Sequence, residues 1–221
     1  MGFTIGGSRG IRETGPGSWR RGRSARTSRT SEVIAVAEYT GLWGWDVAPG
    51  ARSLNGACSC GSSSCTAPGA HPLSFAPHVP AGATLDEVSE AWSQCPGAAV
   101  LLPVGRSFDV LDVAAPAGRR ALVRLERMGL PLGPVSTTPE GRTHFYVAPG
   151  ASAELPGLLY RMGWDDAILD LRCPQRGSFV PAPPSGEVRW LRPPSLDTAT
   201  RPPQARLLLG TLAYICHRSA A

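Results

Sequence analysis

The 221-residue chain contains no lysine, and all 22 of its basic residues are arginine. An all-arginine basic set is what a GC-rich coding bias produces, so no chemistry is drawn from it. Charged residues are scarce at 18% and aromatic ones at 7%, which excludes a coiled coil or a long charge-laced helix. No run approaches the roughly 20 apolar residues that a bilayer-crossing helix needs. The arginine-rich start is not followed by the apolar stretch of a secretory signal. Met1-Gly2 is followed by Gly6, where an N-myristoylation signal has Ser or Thr. These absences predict a cytoplasmic protein without membrane contact. In that reducing location the six cysteines are expected to be thiols or ligands rather than disulfides.

What is present points to a turn-rich globular body. Hydrophobic residues make up 42% of the chain, enough for a core, while 26 Gly and 22 Pro punctuate it. Seven arginines and one acid in residues 1–30 give that segment a formal charge of +6 against a total of +5, so residues 31–221 sum to −1. Residues 1–30 have almost nothing to bury and read as a disordered basic arm able to contact nucleic acid. The body is nearly neutral, and no phosphate-gripping surface follows from its composition.

Periodicity places a helix from Ser31 to Gly41, a strand over Trp43–Val47 ending in a Pro49-Gly50 turn, and a Cys/Gly/Ser loop over 52–72. Thr84-Leu85-Asp86-Glu87 is a capping box opening a helix that Pro96-Gly97 stops. Ala98–Pro103 and Ser107–Val113 read as a strand pair about Gly105, Gly118–Met128 as a helix, and Val135–Thr137 with His144–Val147 as a hairpin. A helix over Leu155–Met162, strands at Ile168–Arg172 and Ser178–Ala182, and Trp190 complete the body, residues 31–195. Residues 196–221 read as a proline-rich linker and an amphipathic helix over Gln204–Cys216. The mixture predicts an α+β (mixed α/β) fold. Trp43, Trp45, Trp92, Trp164 and Trp190 fall where elements begin or end, and core packing accounts for them.

The sharpest chemical signal is Cys58-Ser59-Cys60-Gly61-Ser62-Ser63-Ser64-Cys65 followed by His71. Zinc takes four tetrahedral ligands from thiolate and imidazole, and a small-residue loop can wrap such a site at little steric cost. Cys58, Cys60, Cys65 and His71 therefore form a zinc ligand set of the closed, structural kind; the other reading is three thiols in a loop. Cys95, Cys173 and Cys216 lie in or beside separate elements and read as small buried hydrophobes.

The run Phe108-Asp109-Val110-Leu111-Asp112-Val113 sets two acids in an apolar strand. Successive side chains alternate faces, so Asp109 and Asp112 point to opposite sides and cannot share a metal ion. His144, between Thr143 and Phe145 in a strand, has an ordinary reading as a hydrogen-bonded histidine.

An ordered set of motifs adds a family likeness. These are Ala37-Glu38-Tyr39 with Gly44-Trp45-Asp46-Val47, Pro68-Gly69-Ala70-His71-Pro72, Val110-Leu111-Asp112-Val113, Thr138-Pro139-Glu140-Gly141-Arg142-Thr143-His144-Phe145-Tyr146, and Leu169-Asp170-Leu171-Arg172 with Ala182-Pro183-Pro184-Ser185. Over residues 33–195 the chain resembles the N-terminal domain of bifunctional DNA primase/polymerases of the archaeo-eukaryotic primase superfamily, in particular small stand-alone actinobacterial proteins. The resemblance implies an RNA-recognition-like sheet joined to a smaller α/β unit, and template-directed nucleotidyl transfer from nucleoside triphosphates. By the same resemblance Asp112 and Asp170 would hold Mg2+ or Mn2+, and His144 would contact the triphosphate, with Arg142 and Arg172 nearby in the nucleotide site. The family pattern puts a second acid two residues beyond the first, where this chain has Ala114. Two ions near 4 Å apart need several carboxylate oxygens against their mutual repulsion. The resemblance thus implies a weakened nucleotidyltransferase, with a non-catalytic nucleotide-, nucleic-acid- or partner-binding protein as the alternative.

Overall fold

Strands here are short and helices carry half of the buried leucines, so the fold is built from small sheets backed by helices. The computed structural model describes residues 19–54, 57–62, 64–65 and 71–220. In chain order the elements are α1 Trp19–Gly41, β1 Ala48–Gly50, β2 Ser53–Leu54, β3 Ala57–Cys58, α2 Leu85–Gln94, β4 Ala99–Pro103, β5 Asp109–Ala114 and α3 Ala115–Arg127. They continue with β6 Val135–Thr137, β7 Arg142–Val147, α4 Ala151–Arg161, β8 Leu171–Arg172, β9 Phe179–Pro181, β10 Arg189–Arg192, α5 Leu196–Thr200 and α6 Ala205–Ala220. The fold is α+β, as the sequence predicts.

The main sheet has five antiparallel strands in the order β10-β6-β7-β5-β8. Its central pair runs from Asp109 opposite Val147 to Ala114 opposite Arg142. One face carries Leu111, Val113, Phe145 and Val147 into a core closed by α3, α4 and α6, in which Leu125, Leu208, Leu209 and Leu212 are fully buried. Gly118 lets α3 lie hard against the sheet, because a Cβ there would stand 2.4 Å from the Cβ of Thr143. The other face meets a second core at one end only: Val110 and Tyr146 pack with Tyr39, Trp45, Phe108 and Trp92. Tyr146 stacks on Trp45 at 5.7 Å between centroids and tilts against Trp190 at 5.4 Å, so the tryptophans at 45 and 190 are packing residues. A smaller sheet, β1-β4-β9, and α2 complete this second layer.

Several elements depart from expectation for identifiable reasons. The consecutive strands β4 and β5 do not pair, since β4 joins β1 and β9 while β5 joins β7 and β8. Gly105, at φ +100°, turns the chain from one sheet to the other. A Cβ at this position would meet the Arg176 backbone at 2.8 Å. Pro49-Gly50 is strand rather than turn: β1 is an edge strand, which tolerates a residue lacking an N–H, and the Pro49 carbonyl accepts from Leu73 N–H at 2.9 Å. The first helix begins at Trp19 rather than Ser31, so residues 19–30, expected in the disordered arm, are helical. Packing of Val36 and Tyr39 in the second core supplies the nucleus, and a helix extends cheaply from a fixed nucleus through arginines of good propensity. The rest of that arm, residues 1–18, lies outside the described residues. The expected strand at 168–172 is reduced to β8. The C-terminal helix is part of the main core rather than an appendage, and α5, with its own Ser195–Thr198 capping box, interrupts the expected linker.

Candidate functional site

Two clusters of chemically capable side chains emerge. The first is the cysteine loop. The β2–β3 hairpin delivers Cys58, and His71 returns beside β1, where its carbonyl accepts from Ala51 N–H at 2.9 Å. The ligand atoms of Cys58, Cys60, Cys65 and His71 all lie within 4.8 Å of one another. His71 Nε2 is 3.4 Å from the Sγ of both Cys58 and Cys65. A tetrahedral zinc ion with its usual bond lengths has S···N edges of roughly 3.5 Å. His71 Nδ1 lies 2.9 Å from the Pro72 carbonyl and donates to it, which leaves Nε2 as the ligating nitrogen. That bond, and then the Cys58 thiol, raise the His71 pKa to about 8 in the metal-free protein. The four residues can hold a metal ion, and their donor chemistry fits zinc. A small apolar cluster of Ala51, Leu73, Ala76, Cys95 and Ala98 supports the loop from beneath. None of the six cysteines is in a disulfide; Cys95 and Cys216 are buried, and burial pushes the thiols of Cys173 and Cys216 up to about 12 and about 11.

The second cluster lies on the partly covered face of the main sheet, and long-range register assembles it. His144 on β7 is directly opposite Asp112 on β5, and Arg172 on β8 faces Asp112 from the other side. Asp170 immediately precedes β8. Asp112, His144 and Asp170, separated along the chain, thus converge. Arg142 links them: its Nε donates to Asp112 Oδ1 at 2.8 Å, and its Nη1 donates to Asp170 Oδ2 and Oδ1 at 2.6 and 2.9 Å. His144 Nε2 is 3.8 Å from Asp112 Oδ1 and Arg172 Nε 3.7 Å from Asp112 Oδ2, within ion-pair range but beyond hydrogen bonding. Side-chain exposure climbs from 8% at His144 through 13% at Asp112 and 17% at Arg142 to 52% at Asp170 and 65% at Arg172. The cluster is a cleft with a closed floor and a charged mouth.

Electrostatics follow from that gradient. Burial lowers the His144 pKa, and Asp112 offsets this only in part, so the imidazole is neutral at pH 7. The bond from Arg142 lowers the Asp170 pKa. Burial works against the charge on Arg142, but its bonds to Asp170 and Asp112 outweigh it and raise the pKa. Two buried polar atoms of the cluster, His144 Nδ1 and Arg142 Nη2, have no hydrogen-bond partner among the described residues. Groups of this kind are ordinarily satisfied by water or a ligand.

The donor set does not fit a two-metal centre. Both carboxylates are engaged by one guanidinium, and position 114, on the same face as Asp112, offers a methyl group. Hard divalent ions take about six oxygen ligands, most of which would have to come from elsewhere.

Asp109, the other acid of the strand, has a structural task that the sequence did not disclose. Fully buried on the opposite face, its Oδ2 accepts from the N–H groups of Gly150 and Ser152 at 3.0 and 3.1 Å, capping α4 from a distance. Gly150, at φ +100°, has no side chain with which to do so. The signal was available: Asp109 shares a strand face with Leu111 and Val113, and an acid there requires a buried donor.

A five-stranded antiparallel sheet with helices on one face and a charged cleft on the other defines an α+β domain whose chemistry is carried on its sheet. The family model for the N-terminal domain of bifunctional DNA primase/polymerases matches residues 36–205, most of the chain, and the protein belongs to that family. Neither characterised proteins nor solved structures gave a significant match.

Proposed function

We propose that this chain binds nucleoside triphosphates, and through them nucleic acid, at the Asp112–His144–Asp170 cleft, and that its nucleotidyl transfer is weakened. The observation that carries this reading is the convergence of those three residues on one sheet face next to Ala114. The phosphates are met at the mouth by Arg172 and deeper by Arg142 and His144, whose buried Nδ1 has no hydrogen-bond partner among the described residues. With position 114 reduced to a methyl group, transition-state charge is poorly stabilised, a loss of several orders of magnitude in rate. The Cys58–Cys60–Cys65–His71 cluster holds a structural zinc ion, the basic N-terminal arm adds nucleic-acid contacts, and the protein works in the cytoplasm.

Primer extension with Mn2+ and labelled-nucleotide binding test this together. The wild type is expected to extend a primer no better than Asp112→Ala, yet to bind nucleoside triphosphate, with affinity reduced roughly 10-fold or more by His144→Ala. Robust extension abolished by Asp112→Ala would overturn the weakened-enzyme reading. Absence of nucleotide binding would overturn the cleft itself.

A further inference from the structure

We propose that Arg142 is the resident cation of the cleft and that it keeps divalent metal ions out. Its guanidinium spans the gap between Asp112 and Asp170 with three short charge-assisted contacts, the place where a bridging ion would be needed. The register explains how this arose. Ala114 is directly opposite Arg142 across β5 and β7 and on the same face, so the small side chain both deprives a metal ion of a ligand and leaves room for the arginine.

Charge balance points the same way. Arg142 and Arg172 balance Asp112 and Asp170, His144 is neutral, and Glu140, whose charge also acts on His144, leaves a net −1, so the attraction on an incoming dication is small. Asp112 and Arg142 are also mostly shielded from water, where ion pairs are screened less than at the surface. Arginine cannot shed its proton to make way at any working pH, and its planar fork suits two carboxylates better than an ammonium would. The inference rests on this ion-pair geometry and not on the nucleotide reading above, and its test uses neither nucleotide nor DNA.

The probe is Mn2+, titrated into zinc-loaded full-length protein and followed by the electron paramagnetic resonance signal of the free ion. Wild type is expected to show no Asp112-dependent binding below about 1 mM. Arg142→Gln, with folding verified by circular dichroism, is expected to bind Mn2+ roughly 10-fold tighter or better, a gain that disappears in Arg142→Gln/Asp112→Asn. Ala114→Asp, which also supplies an N-cap that α3 lacks, is expected to gain no Mn2+ affinity while Arg142 remains. Micromolar binding by wild type that Asp112→Asn abolishes overturns the proposal, as does a folded Arg142→Gln no tighter than wild type. Should Arg142→Gln fail to fold, Ala114→Asp decides: affinity gained by that change alone overturns the proposal, and no gain sustains it.

Discussion

The cysteine loop and the sheet cleft are built on opposite plans. The loop draws its four groups from fourteen consecutive positions, 58 to 71, so chain connectivity alone brings them close. The cleft draws on β5, β7, β8 and Asp170 just before β8, positions 112 to 172, and only strand register makes them neighbours. The first cluster depends little on the rest of the fold, and the second is a consequence of it. A local site is therefore expected to fail alone when damaged, while a register-built site fails with its sheet.

The largest effect is expected at the loop. Cys60→Ser should reduce bound zinc from one equivalent to less than half, by elemental analysis, and destabilise the protein by about 3 kcal/mol or more, because metal affinity there is folding free energy. A chelator should do the same to wild type while leaving the far-ultraviolet signature of the main sheet intact; simultaneous collapse of both regions would erase the contrast. Next in size is Asp109→Ala. Removing the carboxylate strands the N–H groups of Gly150 and Ser152 and should cost about 2 kcal/mol in denaturant unfolding. Asp109→Asn, which retains an acceptor, should cost less. Metal content should be unchanged in both, since this acid serves the sheet and not the loop.

The smallest effect is a pH dependence of stability. Burial holds the His144 pKa below its ordinary 6.5. As pH falls below that value the unfolded chain takes up a proton that the folded one refuses, so stability drops from about pH 6.5 downward. His144→Gln should flatten this part of the profile. Asp170 acts in the opposite sense of charge: its pKa is held below 3.8 by Arg142, so its contribution is complete above that value and fades as pH falls through the lower folded value. A profile unchanged by His144→Gln would show the imidazole to be wetter than its packing indicates.

Reading the sequence succeeded where structure is local. The Thr84–Glu87 capping box is present with both reciprocal bonds, the hairpin about Gly141 pairs as its turn chemistry requires, and the ligand set of the loop is spatially compact. It failed where a neighbour distant in sequence decides. Nothing within residues 98–113 says that two adjacent apolar strands enter different sheets, because β4 is buried on both sides and a run of that kind gives no facing information. The start of α1 was lost because propensity and packing are legible but propagation beyond a packed nucleus is not. In the cleft, Asp112, His144 and Asp170 were identified through likeness to a family. The bridging of the two acids by Arg142 depends on its opposing a methyl group at 114, a cross-strand relation that spacing along one strand cannot express.

The contact between Gly118 and Thr143 links the two sides of the main sheet. Thr143 lies between Arg142 and His144 and points backward while they point forward, so the helix behind sets the stance of the groups in front. Enlarging residue 118 would lever that strand outward and misalign a guanidinium and an imidazole it never touches. The cleft can thus be retuned from behind, by changes no inspection of its lining would single out.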